Sequence, residues 1–348
     1  MNTFLIILTG TLLLFTVLSL IRNDYWVFRV FDYPRLQKLT LSIFCLVLIV
    51  LLYKEKSILY WVLTTLISSN ILYLIYQILP FTIAGKKQVH KSASSKPEQS
   101  ISIMISNVYQ YNTNTKGCLK EIYKANPDVV FLLETNNTWK EGTDELNEKY
   151  PYHIKVPQEN TYGMLLYSKL ELTDSKVKFI VENDIPSIHT KLILKSGATV
   201  MLYGIHPTPP SPTENERSTE RDKELLLIAD IVKEQDKPVI VIGDLNDVAW
   251  SHTTSLFLKM SGLLDPRRGR GFFNSFHARY PFLRFPLDHA FISPAFKLNK
   301  IKRLDSYGSD HFPIFIEIQY EPQDTSDKEV MQPDTDDIKE ANEKKNKK

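Results

Sequence analysis

The sequence predicts an α/β (α+β) domain of stacked sheets flanked by helices, preceded by a bundle of three transmembrane helices. Three observations lead there. Long apolar runs occupy residues 3–21, 39–53 and 58–81. Short Val- and Ile-rich runs alternate with turn residues and helical stretches across residues 101–320. Polar residues of only a few kinds stand at the ends of those runs. The 348 residues suffice for two or three compact units. A hydrophobic content of 43% with 24% charged residues excludes wholesale disorder. A formal net charge of +2 argues against a protein that holds duplex DNA by its overall field. Cys45 and Cys118 alone make no disulfide framework.

The apolar runs come first. A helix rising ~1.5 Å per residue needs about 20 apolar residues to cross ~30 Å of hydrocarbon. Runs 3–21 and 58–81 meet that length, and 39–53 can borrow from snorkelling Lys38 and Lys54. No basic stretch precedes residue 3 and no small-residue cleavage site follows residue 21, so a cleaved signal peptide fits poorly. Ser68, Ser69, Asn70 and Gln77 in the third run prefer a helix–helix face to lipid. Arg22, Arg29, Arg35 and Lys38 follow the first run, and Lys86, Lys87, Lys91 and Lys96 follow the third, whereas only Lys54 and Lys56 lie between the second and third. That bias puts the C-terminal part in the cytoplasm. The organisation expected is therefore a multi-pass membrane domain (1–84), a polar linker (85–100), a catalytic domain (101–320) and a disordered charged tail (321–348).

Within the domain, strands are expected at 101–108, 129–133, 163–167, 198–205, 239–242, 290–293 and 313–318, with helices at 116–125, 214–233 and 253–260. Asn107 closes the first strand, Glu134 follows the second, His206 and Asp244-Leu245-Asn246-Asp247 follow later ones, and Asp288-His289 and Ser309-Asp310-His311 precede the last. One polar residue at a strand end is ordinary; six ends supplying only Asn, Asp, Glu and His point to chemistry. Glu134 and Asp310 are hard oxygen ligands that suit Mg²⁺ or Mn²⁺ rather than Zn²⁺. Asp244 and Asn246, spaced by two, face one side of an extended segment and can address one phosphate and its attacking water. His311 with a carboxylate partner makes a general base, and His206 and Asn246 can donate to a phosphoryl oxygen.

These motifs, in this order, resemble the endonuclease/exonuclease/phosphatase superfamily of the DNase I-like fold: Asn107, Leu-Leu-Glu134, His206-Pro, Gly243-Asp244-Leu245-Asn246, Leu287-Asp288-His289 and Ser309-Asp310-His311. The resemblance spans about residues 101–318 and implies a four-layer αββα sandwich with its site at one edge of the paired sheets. It implies Glu134 as principal metal ligand with Asn107 and Asp310 beside the metal. Asp244 would align or activate the water, Asn246 and His206 would contact the scissile phosphate, and His311 would pair with Asp288. Members differ on whether His311 or Asp244 prepares the water. Ser106 stands where an aromatic residue is usual, which bears on packing more than chemistry.

The expected activity is that of a membrane-anchored, metal-dependent phosphatase or phosphodiesterase acting on a lipid-linked or membrane-proximal phosphate. Its partners would be the bilayer and that lipid. A membrane-tethered Mg²⁺-dependent nuclease is the alternative, nucleic acid being the less favoured partner, and a non-enzymatic scaffold is a third reading. Between Asp265 and Asp288, arginines including Arg270 and Arg284 interleave with aromatics. Such a stretch suits phosphate binding at a lipid interface, or stacking of single-stranded bases, or the finishing of a core. The proline-stiffened loop 206–212 resembles that of three-span bacterial members, including the teicoplanin-resistance type, which are linked to undecaprenyl pyrophosphate in the cytoplasmic membrane and place the domain outside the cell. The basic-residue count places it inside.

Overall fold

The computed structural model describes residues 2–347. Four helices open the chain: α1 (Asn2–Leu18), the short α2 (Trp26–Arg29), α3 (Arg35–Leu52) and α4 (Ile58–Ile78). Leu5, Leu12, Cys45, Ile49, Leu63 and Ile67 pack among the three long ones, while Phe44, Leu51 and Leu72 remain exposed on their outer faces. As the sequence suggests, the polar residues of the third run face inward: Asn70 Nδ2 donates to Ser42 Oγ at 3.0 Å, and Gln77 Oε1 accepts from Arg35 Nη1 at 2.6 Å. Two helices, Arg35–Leu52 and Ile58–Phe81, are long and apolar enough to cross a membrane. Of the three expected spans these two have the length; α1, an apolar helix of 17 residues, reaches only ~25 Å. The chain turns at Leu20, whose N–H bonds Val17 O, and so leaves the helix early. Lys38 does not snorkel either; it is buried, and its ammonium donates to Phe15 O and Phe31 O.

The domain holds two sheets. One contains β1 (Ser100–Asn107), β2 (Val129–Leu133), β3 (Tyr152–Val156), β4 (Met164–Ser168), β10 (Phe296–Arg303) and β11 (Ile314–Tyr320), in the order β10-β11-β1-β2-β4-β3. The other runs β5 (Glu171–Lys178), β6 (Ser187–Ile193), β7 (Thr199–Gly204), β8 (Val239–Asp244) and β9 (Asp288–Ile292) in sequence order. Ile103, Ile105, Phe131, Leu202, Ile240 and Ile292 are among the side chains closed between them. The helices α5 (Thr115–Ala125) and α6 (Asn137–Gly142) cover the outer face of the first sheet through Ile122 and Trp139. Opposite, α7 (Thr219–Lys233) and α8 (His252–Ser261) cover the second through Leu225 and Phe257. The result is the expected αββα layering.

One topological fact places the site. Each sheet has a single parallel pair, β1–β2 and β7–β8, joined by α5 and α7 respectively. Their carboxyl ends deliver Asn107, Glu134, His206 and Asp244 to one edge. The antiparallel neighbours start there: β9 opens with Asp288 opposite Asp244, and β11 follows Asp310-His311.

Two expectations at the domain's borders are corrected. Segment 85–100 is not a free linker: Val89 is fully buried in the inter-sheet core, and Gln88 bonds both Asp265 N and Glu329 O. Nor is the tail disordered. It forms α9 (Thr335–Asn346), opened by an Asp334/Asp337 capping box. Ala341 enters the core of α7 and α8, and Lys344–Asp222, Lys345–Asp230 and Lys259–Asp337 pair across the seam at 2.6–2.7 Å. Charge that reads as solvation is here a matched set of contacts.

Candidate active site

Glu134, His206, Asp244, Asn246, Asp310 and His311 line one cleft of about 240 Å³. Backbone geometry forces them inward. Glu134 and Asn246 sit at φ of 57° and 50°, and Tyr109 and Thr161 beside them at 58° and 72°. Left-handed conformations at non-glycine residues cost energy and gather where a site demands them. Gly243, at φ 151°, passes so close to Ile205 that a Cβ would stand 1.8 Å from its carbonyl oxygen. Only glycine lets β8 deliver Asp244 beside His206.

Asp244 is held from both sides: its Oδ1 accepts from Asn246 N at 2.9 Å, its Oδ2 from Asn107 Nδ2 at 3.1 Å. Asn107 Nδ2 also donates to Glu134 Oε1 at 2.7 Å. His311 Nδ1 meets Asp288 Oδ2 at 2.7 Å, and its Nε2 lies 3.5 Å from Asp244 Oδ2. The imidazole thus bridges two carboxylates, with the Phe276 ring against it. Ser309 Oγ donates to Asn107 O and accepts from His311 N, tying the end of β1 to the Ser309–His311 turn.

Burial sets the charges. It pushes the Glu134 carboxyl up to about 7 and raises Asp244. It drives His206 down to about 4, so that ring is neutral at pH 7. Burial also opposes a charged His311, but the flanking carboxylates of Asp288 and Asp244 outweigh it and push the group up to about 10.

The donor set fits a hard cation. Glu134 and Asp310 reach the cleft with carboxylate oxygens, and Asp310 Oδ1 is buried without a hydrogen-bond partner among the described residues. Asp244, Asp288 and His311 form a second group that could hold an ion, their ligand atoms within 4.8 Å of one another. In that group His311 Nδ1 is already taken by Asp288 Oδ2, whereas Asp310 brings an unpartnered oxygen to the cleft and, among the described residues, Glu134 is held only by Asn107 Nδ2 and Gln110 N.

Three expected residues are corrected. Asn107 turns its nitrogen, not its oxygen, to the carboxylates, because Tyr109 N donates to its Oδ1 at 3.0 Å. It therefore orients Glu134 and Asp244 rather than ligating. Arg270 lies away from the cleft, its guanidinium on the carbonyls of Val89 and Pro266. Arg284 covers the Phe312 ring and bonds Ala278 O. Both arginines close loops.

Other residues of the cleft carry no sequence signal: Tyr33, Tyr162 and Glu214. The Tyr162 hydroxyl is bonded to Glu214. Tyr33, from the turn between α2 and α3, donates from its hydroxyl to Asn246 O at 2.9 Å. Arg221, itself buried, holds the same carbonyl at 2.8 Å and pairs with Asp222 and Asp247. Nothing in the spacing of Tyr33 within its basic loop marks it; only the docking of the helices does.

No curated protein matches the chain. Similar solved structures include a humanized D. rerio TDP2, at 18% identity and a TM-score of 0.53, covering 64% of this chain and 99% of that one. An endonuclease/exonuclease/phosphatase from Bacteroides vulgatus shares 18% identity at a TM-score of 0.52, covering 64% and 99%. The human nocturnin catalytic domain with bound sulfate shares 18% at 0.51, covering 64% and 95%. At such identities the likeness is one of fold. The sequence profile of the endonuclease/exonuclease/phosphatase family, however, matches residues 106–311, which is more than half of the chain and runs from Ser106 through every acidic and histidine residue of the cleft to His311. The chain belongs to this family of hydrolases.

Proposed function

We propose that the protein is a membrane-anchored, divalent-cation-dependent phosphoric-ester hydrolase acting on a lipid-linked or membrane-proximal phosphate. The observation that carries the reading is Tyr33: a residue of the helical anchor lines the cleft and bonds the Asn246 carbonyl. A substrate in the cleft lies where the domain meets its helices. The exposed apolar faces of α3 and α4 suit a bilayer. The 280–283 tip, with Tyr280, Phe282 and Leu283 exposed, is tied to α3 through Gln37 Nε2 and Phe282 O at 2.7 Å. Both ends of the α3–α4 hairpin adjoin the domain, and the basic residues gather at those ends, which favours a cytoplasmic domain.

Mg²⁺ or Mn²⁺ held by Glu134 and Asp310 would supply Lewis-acid neutralisation of the phosphoryl oxygens. The side chains do the rest. Asp244, fixed by Asn107 and Asn246, and the His311 imidazolium, fixed by Asp288, reach one point of the cleft, and water there gives its proton to Asp244 as its oxygen attacks phosphorus. The ester oxygen leaves with the bonding electrons. Neutral His206 and the remaining N–H of Asn246 donate to the oxygen that gains charge.

The test is release of phosphate or head group by the purified full chain from phospholipids and polyprenyl pyrophosphates, with and without Mg²⁺. Activity on these and none on DNA is expected; Mg²⁺-dependent degradation of DNA alone overturns the lipid reading. The exposed tip also favours a second reading, a tethered nuclease whose Tyr280 and Phe282 stack single-stranded bases. It predicts steeply salt-dependent DNA binding.

A further inference from the structure

A second cavity, about 490 Å³, lies where the helices meet the domain, and it shares no lining residue with the cleft. The anchor contributes Arg22, Arg29 and Arg35, α4 contributes Tyr76, and the domain contributes Arg268 and Trp250. Two carboxylates answer the four guanidinium groups. Asp32 pairs with Arg29 and Arg35 at 3.3 and 3.4 Å, and Glu340 pairs with Arg22 at 3.0 Å and with His252 at 2.8 Å. Arg268 has neither. Its nearest acidic neighbour in sequence, Asp265, is taken by Arg267 at 2.8 Å. Its guanidinium lies over the Phe81 ring, and its buried Nε has no acceptor among the described residues. A buried guanidinium N–H without an acceptor is costly, and the phosphate oxygen is the acceptor class that arginine forks match.

The position of the cavity narrows the source of that phosphate. Ser19 and Leu20 beyond the end of α1, Tyr73 and Gln77 in the last turns of α4, and Arg35 at the start of α3 all line it, so it sits at the domain-facing end of the bundle. Leu20 and Tyr76 are exposed at its mouth, and Leu72 continues the apolar surface along α4. A head group seated among the arginines would lay its chains along that surface.

We propose that this cavity binds the phosphate group of an anionic membrane lipid, as a non-catalytic site distinct from the cleft. The assignment shares with the proposed function only the placement of the helices in a bilayer, and its test reads binding, not turnover. The full chain in detergent is equilibrated with equimolar phosphatidylcholine and phosphatidylglycerol, and retained lipids are counted by native mass spectrometry. Phosphatidylglycerol should be retained about 10-fold over phosphatidylcholine, whose choline cation cancels the phosphate charge that the arginines attract. Arg268→Gln should bring the two to parity, while Arg268→Lys keeps part of the preference. Arg22→Gln, at an exposed position, should weaken it too and serves if Arg268→Gln does not fold. Equal retention by the native chain overturns the site, as does a preference untouched by both glutamine variants. Inorganic phosphate that binds through Arg268 without any retention of phosphatidylglycerol overturns the lipid source.

Discussion

The cleft and the arginine cavity are both lined from the same stretch of chain. Residues 244–246 give Asp244 and Asn246 to the cleft, and residues 249–251 give Ala249, Trp250 and Ser251 to the cavity. The cleft is acidic, shaped by strand ends and strained backbone. The cavity is basic, shaped by whichever residues the helices bring when they dock. An acidic pocket invites a cation and a basic one an anion, so a loop of eight residues divides two opposite electrostatic tasks. Every lining residue of the cleft except Tyr33 comes from the sandwich, whereas helices and domain line the cavity together.

That contrast can be broken by substitution. The largest effect is expected for His311→Ala, a loss of ~10²–10⁴-fold in turnover with the fold preserved, as read by circular dichroism, whereas Arg268→Gln should leave turnover in detergent unchanged. Steady-state assays on both variants decide it, and near-normal rates in His311→Ala would contradict the role assigned. Next comes Glu134→Gln. Loss of a mere partner to a metal ligand costs about 10–100-fold in affinity, so the Mg²⁺ concentration for half-activation should rise at least as much. Ala341→Asp should cost about 1–3 kcal/mol, read as a lower melting temperature, by placing a carboxylate in the core of α7 and α8. Tyr33→Phe removes one hydrogen bond across the anchor–cleft boundary, about 1 kcal/mol, and should slow turnover several-fold more than it lowers the melting temperature.

The smallest signals are slopes against pH. His206 is held down to about 4 from 6.5, so between those values the unfolded chain binds the proton and the folded chain does not. Its contribution to stability is lost as pH falls through that window. His311 is held up at about 10, so the folded chain keeps a proton that the unfolded one loses above 6.5, and that contribution fades as pH rises towards 10. Imidazole resonances followed by NMR in the metal-free protein should therefore titrate in opposite directions from 6.5.

The cleft was largely legible because a crossover between parallel strands fixes where strand ends go. Asn107 and Asp244 close such strands, Glu134 and His206 follow just beyond them, Asp288 opens β9 and His311 stands just ahead of β11. What eluded the sequence did so for physical reasons. Strand β5 is mostly exposed and reads Glu-Leu-Thr-Asp-Ser-Lys-Val-Lys, without the alternation that burial imposes. Helix α9 buries Ala341 but leaves Ile338 in solvent, docking through lysine–aspartate pairs that composition cannot distinguish from a solvated tail. Arg270 and Arg284 carried the right chemistry for phosphate, yet backbone carbonyls claim both.

The Tyr33–Asn246 bond has one more consequence. With the helices clamped to the Asn246 turn there, and Trp250 Nε1 bonded to Asp32 O at 2.9 Å beside it, the cleft would be held at a set height above a bilayer that takes up α3 and α4 as proposed. A hydrolase mounted as proposed would search in two dimensions. Its rate should follow the surface fraction of substrate in the sheet of lipid and fall on dilution with inert lipid, even when the bulk amount of substrate is held constant.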